Sequence, residues 1–193
     1  MKNIGVDIGG TKTAIGIVDT IYGTVSSKKI IASKTFKNDK KNLDLIVKTT
    51  LELANKNKIK NIGIGVPELI NNNGIVKGSY NFKWNNLNFK NIFPSNFSIK
   101  VDSDVRCHLI AEQKFGKCKN INNFIYINIG SGLSYSHYRE NKIYSGSKGY
   151  AIHFASSVIS LYDWKKNKKI SIIPEEYYSG KDILKILKIY KNT

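Results

Sequence analysis

The chain has 193 residues, 41% of them hydrophobic, and a formal net charge of +17; that suits one large domain or two small ones with a real core. It contains no run of eighteen apolar residues and no continuous apolar segment near its start, which excludes a membrane span and a secretory signal and leaves a cytoplasmic protein as the expectation. Cys107 and Cys118 form no CxxC pair, so neither a disulfide framework nor a zinc cage is indicated, and all but two of the 31 basic residues (Arg106 and Arg139) are dispersed lysines. Base and phosphate readout uses the planar arginine fork, so no specific nucleic-acid partner is expected, although the charge would draw small anions toward a cleft.

In chain order, "KNIGVDIG" predicts a buried strand, "KTAIGIVD" its hairpin partner, and "KKIIASKTF" (Lys28 to Phe36) a third strand. "KNDKKN" (Lys37 to Asn42) reads as a solvated loop, as does "KKNKK" (Lys165 to Lys169). Leu43, Ile46, Val47, Leu51 and Ala54 recur at helical spacing up to Lys56. "IKNIGIGVP" and "FSIKVD" are strands, and "VRCHLIAEQKFG" a helix ending at Gly116. "NNFIYINIG" opens a new strand, followed by a hairpin that turns at Glu140-Asn141. Ile183, Leu184, Ile186, Leu187 and Tyr190 give a terminal helix an apolar stripe that must be covered, by folding onto the second sheet and by dimerisation. A homodimer is therefore expected.

Two apolar strands each run into a glycine turn, at Gly9-Gly10 and at Gly130-Ser131-Gly132, and each is followed by a hairpin partner. Such turns let backbone N–H groups converge on an anion through close approach or positive φ. Thr11 adds a hydroxyl and Lys12 a cation. Asp7 at the strand end is placed to hold a hydrated Mg2+ against phosphates. This weak internal repeat has its boundary near 116–123, giving expected domains 1–117 and 118–193.

With these residues in view, "GVDIGGTKTAIGIVD" resembles the first phosphate motif of actin-like sugar kinases, above all of the ROK family (repressors, unknown frames and kinases). Four further segments resemble that family's motifs in its order: "GIGVPELINNNGIVKGSYNFKW", "VDSDVRCHLIAE", "INIGSGLSYS" and "PEEYYSGKDIL". The resemblance implies an α/β, RNase H-like (actin-like ATPase) fold, with a complete first domain and a shortened second one. It implies a sugar and ATP as ligands, Mg2+ as cofactor, and transfer of the γ-phosphoryl group to a sugar hydroxyl. Asp104 matches the catalytic base, Asn81 and Glu175 match sugar-contacting positions, and Ser103 and His153, standing at two more such positions, complete the expected substrate-binding set.

The chain also departs from the family pattern. Ser103 stands for the Asn before the base, Arg106 for the next Asn, and Glu68 for the glycine of GxPG. His153 takes the place of a sugar-binding Glu, Ser156 that of a His, and the CxCGxxGC zinc motif is absent, so no zinc site is expected. No helix-turn-helix pattern precedes the first motif, which disfavours a repressor. A hexose or amino-sugar kinase and a non-catalytic sugar- or nucleotide-binding regulator both remain open.

Overall fold

A computed structural model describes residues 1–78, 80–152 and 154–191. Five strands, β1 (Lys2–Ile8), β2 (Lys12–Asp19), β3 (Val25–Ala32), β4 (Asn61–Val66) and β5 (Ser98–Ser103), form one mixed sheet in the order β3-β2-β1-β4-β5. The first three are an antiparallel meander; β4 runs parallel to β1, and β5 parallel to β4. Alternation decides the faces. Ile4, Val6, Ile8, Ile15 and Ile17 turn to one side and are buried. Helix α1 (Asp39–Lys56) covers that side with Leu43, Ile46, Leu53 and Ala54. Phe82, stacked on Trp84 at 4.1 Å, extends the same core. The opposite face is lined by Gly5, Gly16 and Gly63 and borders an open cavity of about 1130 Å³ that reaches from Asp7 to Phe115.

Helix α2 (Asp104–Phe115) follows β5 directly, packs on β4 and β5, and also touches β6 (Phe124–Ile129) and β7 (Leu133–Arg139). With β8 (Lys142–Tyr144) these make a second, antiparallel sheet in the order β6-β7-β8. The hairpin turns at Glu140 and Asn141, both at positive φ (50° and 61°), the geometry of a two-residue turn between twisted strands. A separate hairpin, β9 (Ile159–Asp163) and β10 (Lys168–Ile172), precedes α3 (Pro174–Tyr178) and α4 (Gly180–Lys191).

Four expectations need correction. The third strand begins at Val25 and ends at Ala32, because the chain then turns back and the Ser33 N–H donates to the Thr11 carbonyl. "KNDKKN" is not a loop: Asn38 caps α1, accepting from the N–H groups of Lys40 and Lys41, and Asn42 is buried. "KKNKK" is half turn and half strand, since Lys168 and Lys169 pair across the hairpin. The stripe of α4 does not fold onto the second sheet: its five named residues remain 38–75% exposed, because the helix is tied mainly through its first turn, where the Gly180 N–H donates to the Gly130 carbonyl at 2.8 Å.

Candidate functional site

Because β1, β4 and β5 are parallel, their carboxyl ends open along one edge, where ligands sit in sheets of this kind. That edge carries Asp7 and the Gly9-Gly10-Thr11 turn, then Glu68, then Ser103 and Asp104. In the turn the Gly9 N–H donates to the Lys12 carbonyl at 2.9 Å. A Cβ on Gly9 would lie 2.9 Å from that same oxygen, and one on Gly10 would lie 2.9 Å from Asn81 Oδ1. Neither glycine has positive φ, so close approach is what the turn demands of them. Thr11 and Lys12 are exposed beside it.

Asp104 is the first residue of α2. Ser103 supplies the cap, its Oγ accepting from the Arg106 N–H at 3.3 Å, and it is fully buried. Asp104 is thereby released from capping; it accepts from the Val105 N–H at 2.7 Å. Burial pushes its carboxyl from an ordinary 3.8 up to about 6; the Asp7 charge adds to the rise, while hydrogen bonding and His108 work against it. The structure therefore brings Asp7 and Asp104 within electrostatic reach of each other. Register helps: Asp7 faces Gly65, which faces Asp102, and the missing side chain at Gly65 lets the start of α2 settle on the sheet. Burial pushes the Cys107 thiol up to about 12, so it is no nucleophile at neutral pH.

Asn81 sits against the first turn, donating from Nδ2 to the Pro67 carbonyl at 2.9 Å. What holds it there is Glu68, 1% exposed. Its carboxylate accepts from the backbone N–H groups of Tyr80 (2.9 Å), Asn81 (2.6 Å) and Phe82 (2.9 Å). Arg106, equally buried, donates to Asp102 at 2.5 Å and to the carbonyls of Gly149 (2.7 Å) and Ile70 (3.3 Å). It straps the 145–152 segment to the loop after β4, where Asn72 also donates to the Ser147 carbonyl at 3.0 Å. These roles for Glu68 and Arg106 had no signal beyond their departure from the family pattern.

The second turn, Gly130-Ser131-Gly132, is closed by the Gly130 N–H donating to the Gly132 carbonyl at 2.9 Å. Glu175, from α3, accepts from the Leu133 N–H at 2.8 Å and lies against Gly132. The structure thus sets Glu175 as a brace of this turn. His153 lies outside the described residues. Among the described residues no group of three or more His, Cys, Asp and Glu could hold a metal ion. The residues do fit a hydrated Mg2+: Asp7 is an exposed carboxylate, and its charge raises a second one nearby, an acidic pair a divalent cation would offset. No helix of the described residues is long and apolar enough to cross a membrane.

A 3-2-1-4-5 mixed sheet with glycine turns leading out of β1 and β6 defines an RNase H-like, actin-like ATPase fold. Superposition on a ROK family glucokinase from Streptomyces griseus, solved with glucose and AMPPNP, gives a TM-score of 0.83 at 25% identity, covering all of this chain and 62% of that one. The chain belongs to the ROK family, whose sequence model matches residues 3–156. It is 29% identical over 168 residues to a xylose repressor of Caldicellulosiruptor bescii, spanning 83% of this chain and 42% of that protein. It is 30% identical over 138 residues to the glucokinase of Thermotoga maritima, spanning 69% of this chain and 43% of that protein. The chain thus spans less than half the length of these curated relatives.

Proposed function

We propose that this chain transfers the γ-phosphoryl group of ATP to a hydroxyl of a hexose or amino sugar, with residues 1–117 and 118–193 as the two units flanking the site. The observation that carries this reading is Asp104: a carboxylate freed from capping, at a strand's carboxyl end, with its pKa raised toward neutrality. Such a group accepts a proton efficiently near its own pKa. In the reaction the sugar oxygen bonds to the γ-phosphorus, the bond to the β-phosphate bridging oxygen breaks, ADP leaves, and the hydroxyl proton passes to the Asp104 carboxylate. Gly10, Thr11 and Lys12, with Ser131 and Gly132, present N–H groups, a hydroxyl and a cation to the phosphates, while Gly9 and Gly130 shape the two turns by donating their own N–H groups to the Lys12 and Gly132 carbonyls. Asn81, set against Gly10, orients the sugar. Ser103 serves as the helix cap, and Glu175 acts through the second turn. Asp7 would hold Mg2+ through water, and the ion would supply charge neutralisation at the phosphates.

A second reading is favoured by the match to a xylose repressor over 83% of this chain: a sugar-binding regulator without turnover. ADP release measured against a panel of hexoses and amino sugars separates the two. Sugar-dependent ADP release supports the kinase; sugar binding with no ADP release supports the regulator.

A further inference from the structure

A cavity of about 480 Å³ opens beside Asn81, between the segment that leaves β3 and the loop that precedes Trp84. Lys34, Lys37 and Lys83 line it, with Phe36 and Tyr80 exposed at its rim. Among the described residues Asp39 is the one acid in its lining, and that carboxylate already accepts from the Lys83 N–H at 2.8 Å. Three ammonium groups against one occupied carboxylate make a cationic recess. Lys34 rests over the Phe82 ring, 5.2 Å from its centroid, so its stem is held by the core. Exposed aromatic rings offer flat apolar faces to a sugar ring or a neighbouring group. The cavity shares Asn81 with the site described above, so one ligand could reach both.

We infer that this recess is an anion subsite, and that the preferred acceptor is a sugar bearing a negative group, a carboxylate or a phosphate, seated on Lys34, Lys37 and Lys83. The inference rests on the sugar-binding half of the proposed function and extends it to a substrate class. Neutral hexoses would occupy the Asn81 side alone. The chain's net charge of +17 would speed capture of such anions without conferring the selectivity, which comes from the recess.

The test is calorimetry on the full chain at low ionic strength, without ATP, using glucose, glucuronate, glucose 6-phosphate and inorganic phosphate. The two anionic sugars distinguish carboxylate from phosphate. At least one of them should bind about tenfold more tightly than glucose, and inorganic phosphate alone should bind more weakly than that sugar. The Lys37→Gln/Lys83→Gln double variant should lose about tenfold for the anionic sugar and leave glucose unchanged, as two partly screened charge contacts would. A Lys168→Gln/Lys169→Gln control on the β9–β10 hairpin should change neither. Equal affinities for glucose and both anionic sugars, equal losses for all ligands in the double variant, or phosphate binding as tightly as the sugars would each overturn the subsite. Because no turnover is read, this failure is distinct from failure of the kinase reading: a chain that releases ADP with neutral sugars and shows no anion preference keeps the kinase and loses the subsite.

Discussion

Asp104→Asn should make the protein more stable at neutral pH while removing its proposed chemistry. The folded-state carboxyl sits at about 6 against an ordinary 3.8, a difference of about two pH units. Linkage converts this to about 3 kcal/mol, trimmed to about 2 kcal/mol because the mostly buried carboxyl keeps some contact with water. The sign follows from which form folding disfavours. Below 3.8 both folded and unfolded carboxyls are protonated and nothing is lost. As pH rises from 3.8 through about 6 the unfolded chain ionises first, so wild type loses stability that the Asn variant keeps. The Asn side chain can still accept from the Val105 N–H. Thermal unfolding at about pH 7.5 should therefore place the variant roughly 5 °C above wild type, and at about pH 3 the two should coincide. A variant less stable than wild type at neutral pH, or a gap that does not change with pH, would refute the reasoning that burial and Asp7 load this carboxyl.

Gly9→Ala should open the first turn, since the new Cβ would meet the Lys12 backbone oxygen at 2.9 Å; it should weaken binding of a nucleotide triphosphate, read by calorimetry, about tenfold or more and cost about 1–2 kcal/mol of stability. Glu68→Ala removes the shared acceptor of three backbone N–H groups, of which that of Phe82 is buried, and should cost about 3 kcal/mol in urea unfolding; a loss under about 1 kcal/mol would show the cradle to be dispensable. Arg106→Ala should cost about 2 kcal/mol, because Asp102, 35% exposed, is partly relieved by water. It should also raise hydrogen exchange across 145–152, the segment whose strap to Ile70 it cuts.

Much of this fold is legible in the sequence because its strands bury alternate β-branched residues and its helices repeat apolar positions on one face. Four strands of the first sheet, α1 and α2 follow that way, whereas β3, exposed along nearly all its length, is legible only in part; the Glu140-Asn141 turn shows through Asn141, a residue that tolerates positive φ. The candidate base was found through its motif, and the capping by Ser103 explains why a carboxylate in that place is free. The rest depends on contacts that leave no periodic trace. Glu68 meets N–H groups 12 to 14 residues away, and Arg106 meets carbonyls 36 and 43 residues away. Asn38 is a single capping residue in a lysine-rich stretch, so composition masks it. The β9–β10 hairpin carries Leu161, Tyr162 and Trp164 exposed, so no buried face announces its register.

The measurement that bears most directly on the account is the pH dependence of sugar-dependent ADP release, for wild type and Asp104→Asn side by side. If Asp104 is the base, the wild-type rate at low sugar concentration should rise about tenfold per pH unit below about 6 and level off above it, because the carboxylate must be ionised to accept the proton. The Asn variant should fall on the order of a hundredfold or more below the wild-type plateau, and the gap should narrow as pH drops below about 6. A wild-type profile that is flat from about pH 5 to about pH 8, or a variant that keeps wild-type turnover, would contradict the assignment of Asp104 and with it the proposed reaction.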